Sequence, residues 1–260
     1  MHNLNIEEFL KSGFHLKEHL AEYLNLNLDA VDNHISCGLD KMSSLHPGSM
    51  SEKDVTSFYE DDVGIAHLFD LAAWHLGSSE YIADTLRLEK KFAHGKVLDF
   101  GGGIGTHSLA AANLKEVEHV FFVDLNPQNR EFVFERAKRL GISKFISVHR
   151  DMASISEVSF DTIICFDVLE HLPNPSEQLL TFAKCLSKES VVLMNWYFYK
   201  GNNGEYPFHF DDQNMIENFF LTLQSNFVEI FHPFLITARS YKLKEQIFFR
   251  REKHLYAYVF

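Results

Sequence analysis

The apolar positions along the chain follow two rhythms, which change over near residue 95. Before that point they recur at helical spacing. Ile6, Phe9, Leu10, Phe14, Leu16, Leu20, Tyr23 and Leu24 form such a series, interrupted at Ser12-Gly13. Pro47-Gly48 breaks the pattern within a loop over residues 45–51, and Ser51 can cap the next helix. Further helices are expected over residues 51–59, 63–76 and 80–92, with Gly77-Ser78-Ser79 between the last two. Residues 1–95 show no strand alternation and read as a helical N-terminal cap.

From Lys96 onward short apolar runs alternate with helical stretches, the mark of an α/β fold. Strands are expected at residues 97–100, 119–123, 144–148, 160–166, 191–197, 227–235 and 255–260. Helices are expected from Thr106, over 127–140 (Pro127 at the start, Gly141 after the end), over 175–186 and over 211–224, the last capped by Asp211 or Asp212. Residues 96–260 form the core domain in this reading.

A glycine turn, KVLDFGGGIGTHS over residues 96–108, joins the first strand to its helix. Glycines let backbone approach a ligand closely, and the helix N-terminus presents unpaired N–H groups. Two ligand classes compete for it. A dinucleotide site requires G-x-G-x-x-G/A. Thr106 stands at the third glycine position counted from Gly101, and Ser108 counted from Gly103, so the fingerprint fails in both registers. Asp99 adds negative charge where a pyrophosphate would lie, and suits a ligand bearing an ammonium and a sulfonium. Asp124 closes the second strand 25 residues after Asp99, near the roughly 20-residue spacing at which dinucleotide folds place a ribose-binding carboxylate. A carboxylate there accepts from both ribose hydroxyls, and a helix N-cap role before Asn126-Pro127 is compatible with that.

The pattern D-x-G-x-G-x-G (Asp99, Gly101, Gly103, Gly105) resembles motif I of the class I S-adenosylmethionine (SAM) methyltransferases. The segment Phe166-Asp167-Val168-Leu169-Glu170-His171-Leu172-Pro173 resembles the family's motif IV. The resemblance covers residues 96–200. It implies a Rossmann-like α/β fold: a seven-stranded, mostly parallel sheet with helices on both faces, a terminal antiparallel hairpin, and an N-terminal cap over the cofactor. The implied cofactor is SAM, with S-adenosylhomocysteine as product. It also implies cofactor contacts from Gly101, Gly102, Gly103, Gly105 and Thr106. Asp151 and Met152 match the adenine position, with Leu125 on one face of the base. Backbone at Phe166 would take the methionine amino group, with Asp99 assisting through water. Asp167 and Val168 follow at the strand edge, and Tyr59 would reach from the cap.

The methyl of SAM is already activated, so alignment and desolvation are the main requirements, with a general base needed only for a protonated acceptor. His209 is the first base candidate, beyond the loop Gly201 to Gly204, because imidazole titrates near neutrality. His171 is the second. Tyr197 ends the fifth expected strand beside Asn195 and Trp196. His67, Trp74 and His75 of the cap are alternative pocket residues or core.

Composition narrows the setting. The 260 residues carry 46% hydrophobic content, enough for one large α/β domain with a helical addition. A formal charge of −12 disfavours a nucleic-acid partner. Cys37, Cys165 and Cys185 are scattered, without C-x-x-C, and read as reduced and structural. No apolar run approaches the ~18 residues of a membrane span, and no signal sequence begins at Met1, so a cytoplasmic location without a membrane partner is expected. No metal is expected: there is no cysteine pair, and His209-x-Asp211 would need a distant histidine to complete a site. G-x-S-x-G is also absent, which disfavours a serine hydrolase. The resulting expectation is methyl transfer from SAM to an oxygen or nitrogen of a small-molecule acceptor. The alternatives are a protein or peptide methyltransferase and a non-catalytic SAM-binding regulatory protein. A nicotinamide-dependent oxidoreductase would reveal itself by preferring NADH.

Overall fold

Val97 and Leu98 lie on an inner strand of a seven-stranded sheet in the computed structural model, which describes residues 4–47, 52–233 and 236–244. The strands are β1 (Gly95–Phe100), β2 (Val117–Val123), β3 (Ile146–His149), β4 (Phe160–Cys165), β5 (Leu186–Met194), β6 (Phe227–Phe231) and β7 (Arg239–Leu243). Their order is β3-β2-β1-β4-β5-β7-β6. The first five pair in parallel, and β7 runs antiparallel between β5 and β6. Strand order reverses between β1 and β4, and the crevice beyond their carboxyl ends is where open α/β sheets bind ligands.

Alternation along the strands assigns residues to two cores. Val97, Phe122 and Leu193 pack with Leu88 of α7 (Ser79–Phe92), Leu109 of α8 (Thr106–Ala111) and Val133 of α9 (Pro127–Arg139). Leu98, Ile163 and Cys165 pack on the other face with Leu179 and Phe182 of α10 (Pro175–Cys185) and Phe219 of α11 (Gln213–Asn226). Burying each such side chain contributes about 1.5–3 kcal/mol.

Among the described residues, six shorter helices precede α7: α1 (Ile6–Ser12), α2 (Leu16–Leu24), α3 (Leu28–Ser36), α4 (Gly38–Leu45), α5 (Glu52–Ser57) and α6 (Ala66–Gly77). A π-helical turn, Phe58–Asp62, follows α5. Gly13, at φ +59°, ends α1 where the apolar series is interrupted. Leu16 and Leu20 of α2, with Leu68 and Phe69 of α6, close on Ile104 of the glycine turn and Phe132 of α9. α2 and α6 therefore cover the glycine turn at the carboxyl end of β1, while α1 packs on α7, which belongs to the layer against the sheet.

Several expected boundaries shift, and β5 begins at Leu186 rather than residue 191. β5 stops at Met194 rather than residue 197, because Asn195 turns its amide to Asp167 and Trp196 leaves to pack on Phe219 and Phe220. β6 stops at Phe231 rather than residue 235, two residues before Pro233, which has no N–H to give a ladder. The hairpin partner is β7, where Arg239 and Lys242 dilute the apolar pattern. The strand expected at residues 255–260 lies outside the described residues. α11 starts at Gln213, with the Asp212 side chain accepting from the Met215 N–H at 2.9 Å.

Candidate active site

A cavity of about 390 Å³ opens where the strand order reverses. Its floor begins at the glycine turn. Gly101 and Gly102 donate N–H bonds to the Val123 carbonyl (2.8 and 3.2 Å), and Gly103 donates to Asp124 Oδ2 (2.9 Å). The turn leaving β1 is thus fastened to the end of β2. Gly101 and Gly103 hold φ of +69° and +56°. A Cβ at Gly103 would stand 2.8 Å from Leu71 Cδ1, so that position needs both the backbone freedom and the space.

Gly101, Gly103, Asp124, Leu125, Asp151, Met152, Asp167, Val168, Tyr59 and His171 line the cavity. Asp99, Gly102, Gly105, Thr106, Phe166, Tyr197 and His209 do not. Asp99 stands behind the turn, 2% exposed, and accepts from the Ser108 hydroxyl at 2.6 Å. Burial raises its pKa to about 7. Gly105, at φ +77°, is the N-cap of α8, and Thr106 is the first residue of that helix.

Asp124 is a crowded acceptor. Its Oδ1 accepts from the Asn126 N–H (2.8 Å) and from Asn129 Nδ2 (3.2 Å), while Oδ2 accepts from Gly103 alone. Burial raises its pKa to about 6 against these hydrogen bonds. Farther along the rim, Asp151 Oδ1 accepts from the Ala153 N–H (2.9 Å) and Oδ2 from Arg150 Nη1 (2.6 Å). The Ala153 bond is the first of the contacts that hold its pKa below the ordinary range. Arg150 also donates from Nη2 to Glu60 Oε2 (2.6 Å), linking the π-helical turn to the strand side of the mouth.

At the end of β4 the backbone turns sharply. Asp167 sits at φ +54°, held by Asn195. Val168 then leads into a 3-10 turn, Leu169–His171. Phe210 donates its N–H to the Glu170 carbonyl (2.8 Å), bringing the 206–210 segment onto that turn. The His171 and His209 rings therefore meet edge to face, 4.8 Å between centroids.

Residues 73–206, just over half of the chain, match the family model described as a methyltransferase domain. The chain belongs to the SAM-dependent methyltransferases. No curated protein sequence matches it. In backbone shape the methyltransferase is similar to solved structures at low identity. One is the YcgJ protein of Bacillus subtilis, at 19% identity, covering 57% of this chain and 70% of that one, TM-score 0.44. Another is a ribosomal protein L11 methylase of Lactobacillus delbrueckii subsp. bulgaricus, at 15%, 65% and 79%, TM-score 0.48. A third is a methyltransferase of Geobacter sulfurreducens, at 13%, 62% and 75%, TM-score 0.43.

The methyltransferase distributes its expected catalytic candidates unevenly. His171 lines the cavity, with Nδ1 3.2 Å from the Tyr59 hydroxyl. Burial lowers its pKa to about 3, with the neighbouring His209 adding to the effect. His209 donates from Nδ1 to the Tyr199 carbonyl (3.0 Å), and burial lowers its pKa as well. Both rings are neutral at pH 7. The Tyr197 ring is 46% exposed and meets His209 edge to face at 5.8 Å. Asp211 does not join His209: it pairs with Lys200 at 3.5 Å. His67 also lines the cavity, half-buried, with its pKa lowered by desolvation to about 4, whereas His75 is buried away from it.

Sequence reasoning missed Asp70, Arg150, Met42 and Val55 in the lining. No motif marks them, since they reach the cavity only through the packing of the N-terminal helices and the Arg150–Glu60 bond. Among the described residues no helix is long and apolar enough to cross a membrane, and the three cysteines are free.

Proposed function

We propose that the methyltransferase transfers the methyl group to an oxygen or nitrogen atom of a small-molecule acceptor. The observation that carries this reading is the apolar part of the cavity lining. Met42, Val55, Leu71 and Phe208 belong to it, three of them from the N-terminal helices, and a walled apolar chamber favours a compact ligand over a polymer surface. The formal charge of −12 weighs in the same direction, against a phosphodiester backbone. In this reading residues 1–95 act as the cap, residues 96–260 as the SAM-binding core, and the protein works in the cytoplasm.

The residues at the cavity fit the donor. Asp124 Oδ2 keeps acceptor capacity beyond its one bond to Gly103, as a ribose diol requires. Leu125 and Met152 flank the adenine slot, and Asp151 serves its amino edge. Gly101 and Gly103 permit close backbone approach. Gly102, Gly105 and Thr106 hold the turn and helix start in shape. Backbone at Phe166 and the buried Asp99 favour the amino group, Asp167 and Val168 border the methionine chain, and Tyr59 approaches from the cap. SAM supplies a methyl on a sulfonium, whose sulfur keeps the electron pair of the broken bond as an acceptor lone pair forms the new one. The chain's own task is to orient the two partners and exclude water. His171, neutral and at the cavity wall, and His209 behind it are the groups placed to take an acceptor proton.

Calorimetric titration with S-adenosylhomocysteine and NADH in parallel tests the cofactor site. Transfer of labelled methyl into separate small-molecule, peptide and RNA pools tests the acceptor. Label in the small-molecule pool is expected. Label in peptide or RNA alone would overturn the acceptor class, and tight S-adenosylhomocysteine binding with no label in any pool would favour a regulatory role.

A further inference from the structure

Glu170 is buried with one carboxylate oxygen unaccounted for. It is 1% exposed, and its Oε2 finds no hydrogen-bond partner. A buried carboxylate oxygen left without a partner is costly and calls for one. Two imidazoles stand beside it. Glu170, His171 and His209 each offer one donor atom, all within 4.8 Å of one another.

We infer that Glu170, His171 and His209 form a binding site for a divalent transition-series cation at the edge of the cavity, and that this cation receives a hydroxyl oxygen of the acceptor. The donor set is two neutral nitrogens and one carboxylate oxygen, which suits zinc or manganese better than magnesium. His209 is already oriented for the task. A carbonyl only accepts, so the bond to Tyr199 fixes the proton on Nδ1 and leaves the lone pair on Nε2. A ligating histidine is commonly held in this way by its other ring nitrogen. The Tyr59 hydroxyl meets Nδ1 of His171 in a similar position. The backbone is pinned as well, through the Phe210 to Glu170 bond and the His209 N–H to Tyr206 carbonyl bond at 3.2 Å.

Three protein donors leave coordination positions open. His171 borders the cavity, so an open position facing it admits an acceptor oxygen. With both imidazole lone pairs engaged by the cation, the acceptor proton would pass to water at the open position instead of to His171 or His209, leaving the oxygen lone pair that methyl transfer requires. This part rests on the proposed function and narrows it to an oxygen acceptor.

The test uses the full chain stripped with a chelator and titrated with zinc and with manganese, beside a separate titration with S-adenosylhomocysteine. One saturable site per chain is expected. Glu170→Gln and His209→Ala should each weaken metal uptake at least tenfold, with thermal melts confirming that both variants fold. S-adenosylhomocysteine should bind the variants about as it binds the parent. No saturable uptake of either metal, or uptake unchanged in both variants, would overturn the site. Metal uptake without S-adenosylhomocysteine binding would leave the metal site standing and sink the cofactor reading instead.

Discussion

Asp167 and Asn195 hold each other by two hydrogen bonds, both 2.6 Å: the Asp167 N–H donates to Asn195 Oδ1, and Asn195 Nδ2 donates to Asp167 Oδ1. The first stabilises a non-glycine residue in the left-handed region, at φ +54°, where strain of order 1–3 kcal/mol persists only if neighbours enforce it. The second keeps a part-buried carboxylate partnered. Asn195→Ala removes both bonds. It is expected to lower unfolding free energy by about 1–3 kcal/mol and to weaken S-adenosylhomocysteine binding, since Asp167 and Val168 both line the cavity. Urea unfolding and calorimetry on the same preparation would read both effects. Full stability with full affinity would show that the turn holds its shape without Asn195.

Arg136 fastens the first helices to the glycine turn. Its side chain is fully buried and donates to the carbonyls of Ile104 (2.8 Å), Gly13 (2.8 Å) and Phe14 (3.2 Å). No carboxylate partners it there; carbonyls at the end of α1 meet the charge, as a helix C-terminus does for a cation. Arg136→Met keeps much of the volume but orphans three carbonyls. A loss of about 2–4 kcal/mol is expected, from several hydrogen bonds to a charged donor. Limited proteolysis should then cut first within residues 1–24. Uniform resistance along the chain would argue against this anchoring role.

Legibility in the sequence tracked how local the physics was. The glycine turn, Asp124 and motif IV could be read because each depends on a few consecutive residues whose backbone must take a particular shape. Gly13 marked the break between the first two helices for the same reason. The hairpin strand β7 escaped because Arg239 and Lys242 break its apolar pattern, and the end of β5 was placed too late because the Asn195 side chain turns to a partner 28 residues away. Asp70 and Arg150 carry no motif, since only the packing of α6 and the π-helical turn against the sheet brings them to the cavity. The Glu170, His171 and His209 grouping needed the Phe210 to Glu170 bond, which no spacing rule anticipates.

Gly103 tests the glycine turn as a ligand site. Gly103→Val forces a β-branched residue to φ +56° and sets its Cβ 2.8 Å from Leu71 Cδ1. Leu71 can give way only by moving within the cavity wall, so the space opposite the turn is filled. S-adenosylhomocysteine affinity should fall by more than tenfold, with a folded far-ultraviolet spectrum retained. A variant that binds as the parent does would place the cofactor elsewhere.

Asp124 should make cofactor affinity depend on pH. Its pKa is raised from 3.8 to about 6 by burial. A raised carboxyl pKa favours the neutral form in the folded chain, so this group's contribution to stability is present below about pH 3.8 and is lost as pH rises through about 6. The ribose diol has the opposite demand, because the ionised carboxylate is the better double acceptor. S-adenosylhomocysteine affinity is therefore expected to fall as pH drops below about 6, approaching tenfold per unit. Arg130 favours the ionised form from the α9 side. Asp99, raised to about 7 by burial first and by the Asp124 charge among its lesser causes, can add a second step. Asp124→Asn separates the two. It should weaken binding at pH 7.5 by about 1–3 kcal/mol, the scale of hydrogen bonds to a charged acceptor, and should flatten the curve below pH 6. Calorimetry from pH 5 to 8 on both proteins reads the difference, and parallel curves would remove Asp124 from the ribose role and leave the slope to Asp99.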